Sequence, residues 1–478
     1  MMQEKIDISI LEELPKVDEA YVDLLLNKGL KLLNRKIVAL DDDPTGVQTV
    51  HNVSVYTDWM EESVLRGFTE ENSLFFILTN SRSFSKDKTI SEHRILAKNI
   101  VKASKSTGKE FVIISRSDST LRGHYPMETQ VLKQEIEMFT NIRYDGEIIF
   151  PFFKEGGRFT IDNIHYVKEN DVLVPAAQTE FANDKTFGYT SSHMGEWCEE
   201  KNQGAYKASD MVYISLEKIR ALDIEYICKQ LIQVKDFNKV IVNAVDYVDV
   251  KIFMIAFIKA LSERKEFIFR SAAAVTKVLG GIADKPLLSR NELIGKDHKN
   301  GGIVLIGSHV MKTTRQLEEL RSCSYPIEFI EFNQHRIVEE LGLEKEVERV
   351  LKIAEANIGN GKTVVVYTRR ERFDLDTDDK EKQLKISVQI SDAVSSIIGK
   401  LNVRPDFIIA KGGITSSDVG TIALKVKRAL VMGQIAPGIP VWMTGDESKF
   451  PGLPYVIFPG NVGEDSTLRE IVELFIAV

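Results

Sequence analysis

The feature that most constrains this chain is an alternation. Short apolar runs of strand length recur at Ile37–Leu40, Ser73–Thr79, Glu110–Ser115 and Gly146–Pro151, and helix-length stretches such as 87–107 separate them. Runs that are apolar without alternating suit strands covered on both faces, the condition of a parallel sheet whose crossovers are helices. The pattern continues at Met211–Ile214, Lys239–Asn243 and Phe267–Ala273. It resumes after the polar, interrupted stretch 284–301 at Gly302–Ile306, Thr363–Tyr367, Phe407–Ala410 and Val456–Phe458. Helical spacing fills 249–262, 312–321, 342–358, 381–398 and 466–476. His51–Thr57, where Val53 and Val55 alternate with polar positions, reads as one more strand of the first half. A chain of 478 residues exceeds one ordinary core. The expected fold class is α/β, with two domains of mainly parallel sheet: residues 1–285, which include an N-terminal helical extension at 16–35, and residues 286–478.

Ligands in open α/β sheets bind in the crevice beyond the carboxyl ends of the strands, so the residues that follow each run are the candidates. The first run ends in Asp41-Asp42-Asp43, and Pro44-Thr45-Gly46 breaks it. Three adjacent carboxylates repel one another; they belong either to a wet turn or to a cleft where they meet a metal, a proton or a polyol. Ser73–Thr79 empties into Asn80-Ser81-Arg82-Ser83. Glu110–Ser115 empties into Arg116-Ser117-Asp118-Ser119-Thr120-Leu121-Arg122-Gly123-His124, two arginines with an aspartate and three hydroxyls. Arginine is shaped to grip a carboxylate with two parallel hydrogen bonds, and the hydroxyls with Asp118 suit a polyol. Downstream, Gly156-Gly157 with Arg158, Thr160, Asp162, Asn163 and His165 is either a substrate loop or a hairpin turn. The loop-rich stretch 171–200, with Glu180, Phe181, Asp184 and Gly188, is expected to lie over the cleft. Arg270 and Ser271 are candidates for the domain junction.

The second half offers backbone rather than charge. Gly307-Ser308 sits between a strand and a helix, an order that aims N–H groups at an anion. Lys411-Gly412-Gly413-Ile414-Thr415 follows another strand. Paired glycines let the backbone approach a polyphosphate, but the spacing is not that of a Walker loop. Lys411 either neutralises phosphate or only solvates the strand end. Pro459-Gly460-Asn461-Val462-Gly463 makes a second glycine-spaced turn before the last helix. An acceptor-like cluster in one half and phosphate-like turns in the other is the division a kinase needs, with both sites facing an interdomain cleft. Such an enzyme holds two reactants in line while magnesium, carried mostly by the phosphates, spreads the charge.

Several classes fall away. The formal charge of -8 is evenly spread and forms no basic stripe, so no nucleic-acid partner is expected. No stretch of 18 apolar residues is present, so no membrane span is expected. The acidic start MMQEKIDISILEELPKVDEAY lacks the charge and apolar core of a signal peptide, and Cys198, Cys228 and Cys323 lack any paired ligand spacing. These features place the expected location in the cytoplasm. A nicotinamide-dependent dehydrogenase is disfavoured because no GxGxxG follows an early strand. A non-catalytic metabolite sensor on the same fold stands as the other alternative, and a homodimer is the base-rate expectation for assembly.

At several ordered positions the chain resembles the four-carbon acid sugar kinase family, formerly an uncharacterised domain family. The motifs are Asp42-Asp43-Pro44-Thr45-Gly46, SRSDSTLRGH at 115–124, Phe269-Arg270-Ser271-Ala272-Ala273, Gly307-Ser308, Lys411-Gly412-Gly413-Ile414-Thr415 and Pro459-Gly460-Asn461-Val462-Gly463. The resemblance implies an N-terminal domain that binds a sugar acid, such as threonate, erythronate or 3-oxo-tetronate, and a C-terminal domain that binds ATP. It implies substrate-side positions at Asp42, Asp43, Arg82, Arg116, Asp118 and Arg122. Nucleotide-side positions are implied at Ser271, Gly307, Ser308, Gly412, Gly413, Thr415, Gly460, Asn461 and Gly463. Arg116 or Arg122 is then expected to clamp the acid carboxylate, and Asp42 or Asp43 to orient the attacking hydroxyl. Family members often carry a non-proline residue where this chain has Pro44, and the stretch Phe152–His165 is where a subgroup with a different substrate would diverge.

Overall fold

The computed structural model describes residues 4–295, 299–373, 380–460 and 462–477. The chain folds into two compact units, one made of residues up to Val50 together with Asp58–Asp284, the other of His51–Thr57 with Lys285 onward.

The first unit is built on a parallel sheet whose strands lie in the order Val212–Ile214, Asn238–Val242, Gly146–Phe150, Phe267–Ser271, Glu110–Arg116, Arg35–Asp41 and Leu74–Leu78. Every pairing within it is parallel. Ile37, Val38, Ala39 and Phe75, Phe76, Ile77 are without solvent exposure, which is why their runs show no polar alternation. Helices cover the sheet: Lys86–Thr107, which starts on a Ser85 cap and stops at left-handed Gly108, and Tyr247–Ser262, opened by a capping box between Asp246 and Asp249. A small antiparallel sheet, in the order Ile6–Asp7, Val172–Pro175, Ile164–Glu169 and Arg158–Ile161, is appended to this unit. The stretch after Phe152 is therefore a hairpin, closed by Asp162 and Asn163 with positive φ.

In the second unit Pro454–Phe458, Ile408–Lys411, Ile303–Ile306, Thr363–Thr368 and Ile327–Phe332 form a parallel core in that order. Its sheet continues through the antiparallel strands Ile439–Thr444 and Arg428–Ala436 to Val53–Tyr56. The strand at 51–57, read from sequence as part of the first domain, thus belongs to the second. Its residues Val53–Tyr56 pair antiparallel with Arg428–Val431, and a strand's partner is a tertiary choice that its own pattern does not encode. Val304, Ile306, Val365, Ile409, Val456 and Phe458 form the centre of the core, which the last helix, Thr467–Ile476, covers with Leu468, Ile471 and Phe475. Among the described residues no helix is long and apolar enough to cross a membrane.

Candidate active site

In the first unit the chain leaves Arg35–Asp41 for Leu74–Leu78 on one side, then takes Glu110–Arg116 on the other. The strand order reverses beside Asp41, the kind of place beyond the carboxyl ends of the strands where open α/β sheets bind ligands. Asp41 sits in register with Arg116 and Leu78, so the acidic triplet and the arginine loop come together.

Each carboxylate of the triplet has its own partner. Arg116 Nη1 lies 3.1 Å from Asp41 Oδ1 and 3.8 Å from Asp42 Oδ1. Arg82 grips Asp42 as a fork, Nη2 to Oδ1 at 2.6 Å and Nε to Oδ2 at 3.1 Å, and its Nη1 donates to Asp43 Oδ2 at 3.3 Å. Asp43 Oδ1 accepts from the Thr45 amide at 2.8 Å and the Thr45 hydroxyl at 2.5 Å. A Cβ on Gly46 would lie 1.8 Å from Asp41 Oδ2, so the Asp-Pro-Thr-Gly turn needs glycine to close over the carboxylate. Burial pushes Asp41 up to about 7 against the pull of Arg116, and burial likewise raises Asp42 although Arg82 opposes it. Burial acts on Asp43 too, but Arg82, the Thr45 hydrogen bonds and Arg116 together hold it below the usual carboxylate range. The Asp43 side chain is 21% exposed against 3% for Asp42. Of the triplet, Asp43 is thus the ionised carboxylate that reaches solvent.

The arginine loop continues the lattice. Arg122 Nε donates to Asp118 Oδ2 at 2.7 Å and to the Thr120 hydroxyl at 3.2 Å, and Thr120 donates to the same Asp118 oxygen. Although burial opposes it, Arg82 and Arg122 hold Asp118 well below the carboxylate range. Arg270 Nη2 donates to the Arg122 carbonyl at 2.9 Å. Gly123, at φ +125°, lets the loop pass: a Cβ there would lie 3.3 Å from both Arg270 Nη2 and Asp42 Oδ2. His165 is fully buried, bonded through Nε2 to the Ser119 carbonyl at 2.8 Å and through Nδ1 to Thr160 at 3.0 Å, and burial pushes it down to about 4. It is a neutral brace under the loop. Ser271 lies in this unit as well, buried, in register with Arg116 and donating to its neighbour's carbonyl, Ala272 O, at 3.2 Å. Within this unit it stands beside the arginine loop.

In the second unit the chain visits Ile303–Ile306, Ile327–Phe332 and Thr363–Thr368 before crossing to Ile408–Lys411 on the other side of the first strand. The reversal falls between Gly307-Ser308 and Gly412-Gly413, and a cavity of about 600 Å³ opens there, lined by Gly307, Ser308, Thr368, Arg370, Gly412, Gly413 and Thr415 among others. Gly307 packs against Thr415, whose hydroxyl would lie 2.3 Å from a Cβ at 307. Gly412 has φ +120°, and a Cβ on Gly413 would project into open space. Gly460 closes on the same corner: its carbonyl accepts from the Thr313 hydroxyl at 3.1 Å, and a Cβ would lie 3.2 Å from Ser308 Oγ. Gly463 turns at φ +80° toward Thr467. Asn461 lies outside the described residues.

Lys411 departs from both sequence expectations. Its side chain is fully buried, Nζ donates to the Pro459 carbonyl at 3.0 Å and sits 3.7 Å from the Phe458 ring centroid, and burial pushes it down to about 7. It pins two strand ends and does not line the cavity. Arg370 and Arg372 do line it, and sequence reasoning missed both; Arg370 is the one tied to the glycine turn. Arg370 Nη2 donates to the Ser308 carbonyl at 2.7 Å and Thr314 Oγ1 at 2.9 Å, its Nη1 has no partner among the described residues, and burial lowers its pKa. The same strand-end rule would have found it, since Thr368-Arg369-Arg370 follows an apolar run directly. The glycine-lined walls, the Ser308 and Thr415 hydroxyls and this guanidinium fit a polyphosphate. Among the described residues no group of three or more His, Cys, Asp or Glu is arranged to hold a metal.

Two family models match the chain. A sugar-binding N-terminal domain spans residues 37–279 and a nucleotide-binding C-terminal domain spans 303–468. The chain belongs to the four-carbon acid sugar kinase family. Solved structures agree in fold. A Salmonella typhimurium LT2 protein with a provisional tRNA synthase description is 16% identical with a TM-score of 0.63, covering 91% of this chain and 98% of its own. A Haemophilus influenzae protein of the domain family DUF1537 is 18% identical with a TM-score of 0.59, covering 91% and 99%. No curated protein matches significantly. In this family's terms the carboxylate–arginine lattice lies in the sugar-binding domain and the glycine-lined cavity in the nucleotide-binding domain.

Proposed function

We propose that the protein is an ATP-dependent kinase that phosphorylates the terminal (4-) hydroxyl of a four-carbon sugar acid such as threonate, erythronate or 3-oxo-tetronate. The observation that carries this reading is the state of the triplet. Within a sugar-binding domain, one carboxylate, Asp43, is kept ionised and open to solvent while Arg82 and Arg116 tie down its neighbours. A polyol acid needs such a surface: an anionic oxygen to orient its hydroxyl and cations to receive its carboxylate.

In this reading Asp43 accepts the hydrogen bond of the terminal hydroxyl and takes its proton as the new O–P bond forms and the bond to the ADP leaving group breaks. Phosphoryl transfer asks little basicity of that group, so a pKa below the carboxylate range suits an orienting role. Asp42 is a positioning residue that holds Arg82. Arg122 faces the acid end of the substrate. In the nucleotide domain Gly307, Ser308, Gly412, Gly413 and Thr415 cradle phosphates beside Arg370. Magnesium borne by the nucleotide would spread the developing charge. The cytosol, which keeps ATP supplied and thiols reduced, is the fitting compartment for the free Cys198, Cys228 and Cys323.

The test is ADP release by the purified protein over a panel of tetronates, 3-oxo-tetronates and five-carbon acids, with and without magnesium. Acid-dependent, magnesium-dependent turnover is expected. Asp43→Asn is expected to lower kcat by about 10²-fold or more while ATP affinity survives. No phosphorylated product from any acid would refute the kinase and favour a metabolite sensor, and unchanged kcat in Asp43→Asn would remove that residue from the chemistry.

A further inference from the structure

Arginines in the sugar-binding domain differ in how far their charge is already answered. Arg82 and Arg116 each hold a buried carboxylate, and Arg270, itself buried, is spent on the Arg122 carbonyl. Among the described residues Arg116 and Arg270 also leave a buried Nε unpartnered, but both side chains are closed off from solvent, and Arg158 is not. Arg158 opens the hairpin strand Arg158–Ile161, is half-buried, and donates from Nη1 to the Gly156 carbonyl of its own turn. Among the described residues its Nε is buried with no partner and no carboxylate stands within ion-pair distance of it. Its guanidinium lies 5.5 Å from the centroid of the Phe181 ring, and Arg122 lies 5.1 Å from the same ring. Arg122 in turn has Nη1 only 3.9 Å from Asp184 Oδ2, a long contact that leaves donors to spare.

Guanidinium does not shed its proton, so partial burial of an unpaired arginine carries a standing desolvation cost. Arg158 and the remaining donors of Arg122, whose Nε is already held by Asp118, approach one aromatic ring, and an anion placed there relieves the cost at Arg158. We infer that Arg158 and Arg122, flanking Phe181, form the subsite for the carboxylate of the sugar acid, and that Arg158 sets the preference for acids over neutral polyols. This rests on the kinase reading for the substrate class. The titratable groups that face Arg158 are Asp118, Arg122, Glu169 and Tyr189, the last of them neutral because burial raises its pKa. Asp118 is already held by Arg122 and Thr120, and no other carboxylate competes at bonding distance. Within the proposal the substrate lies with its carboxylate at Arg158 and its far hydroxyl toward Asp43, so chain length is measured between a fixed cation and a fixed anion.

The experiment compares binding of threonate and erythronate with that of the neutral threitol and erythritol, by calorimetry on the full chain, in wild type, Arg158→Ala and Arg158→Lys. In Arg158→Ala the acids are expected to bind about 10- to 100-fold more weakly, the loss of one or two charge-assisted hydrogen bonds. The neutral tetritols should change less than about 2-fold, and Arg158→Lys should recover part of the acid affinity. Equal acid affinity in wild type and Arg158→Ala overturns the inference, as does a parallel loss of acids and tetritols, which would mark a structural role. Failure of the wild type to bind either acid also overturns it. Acids that bind in an Arg158-dependent way without being phosphorylated would refute the kinase and leave this subsite standing.

Discussion

Gly46→Ala is expected to be among the most damaging single-methyl additions in the chain. The added Cβ would lie 1.8 Å from Asp41 Oδ2 and 2.2 Å from its Cγ. The glycine is not needed for its backbone, since Gly46 is absent from the residues with positive φ; it is needed for the space. Asp41 cannot step aside cheaply. Its side chain is 1% exposed and its Oδ1 is 3.1 Å from Arg116 Nη1, so relief means either moving the turn or breaking a buried ion pair. Overpacking alone costs about 1–3 kcal/mol, and separating a buried pair about 3–5 kcal/mol. A loss of roughly 3–5 kcal/mol lowers the melting of a domain this size by on the order of 10 °C. Thermal unfolding followed by calorimetry reads it, with the two units allowed separate transitions. Asp41→Ala provides the control: once the carboxylate is gone, adding Gly46→Ala should cost less than about 1 kcal/mol, so the double-mutant cycle shows strong coupling. If Gly46→Ala costs as much in the Asp41→Ala background as in wild type, the contact with Asp41 is not what the glycine serves.

Further outcomes follow from the same geometry. Arg370→Ala should weaken ATP binding about 10- to 100-fold with sugar-acid affinity unchanged, whereas Lys411→Met should leave ATP affinity within about 3-fold; the reverse result would restore Lys411 as the phosphate-binding cation. His165, held near 4 in the folded chain against 6.5 unfolded, takes up its proton preferentially in the unfolded state. Its contribution is therefore complete above about pH 6.5 and is lost as pH falls toward 4, a range worth about 3 kcal/mol. Asp41, raised to about 7, slopes the other way over nearly the same window. The measurement is thus the difference between wild type and His165→Gln from pH 7 to 4, in which the Asp41 contribution cancels; a flat difference would show that His165 titrates normally.

What sequence made legible follows from how each element is buried. Strands covered on both faces, such as Ile37–Leu40 and Thr363–Tyr367, announce themselves as unbroken apolar runs, and the residues at their ends were found with them. Ile327–Phe332 was not, because its glutamates at 328 and 331 break the run at the edge of the sheet. Arg428–Ala436 and Ile439–Thr444 were missed for a related reason: the first alternates buried and half-exposed residues through Gly433, with register shifts against its partner. Lys411 was misjudged because its neighbours in sequence are glycines, while its neighbours in space are Phe458 and Pro459. Arg158 was noticed as part of a turn, yet nothing in its local sequence says that no carboxylate answers it. That is a property of the whole fold.

Occupied and unoccupied guanidiniums divide the labour in the sugar-binding domain. An arginine saturated by buried carboxylates, as Arg82 is by Asp42 and Asp43, has few donors left for a ligand, so its work is to fix charge and position. Burial already pushes Asp42 toward its neutral form, and Arg82 is the first influence opposing it. Removing Arg82 would therefore do more than loosen a carboxylate. It would let Asp42 take up a proton and would withdraw the same restraint from Asp43, whose depressed pKa depends on that guanidinium ahead of Thr45. The open carboxylate that the proposed chemistry needs is thus maintained by an arginine that need not touch the acid carboxylate at all.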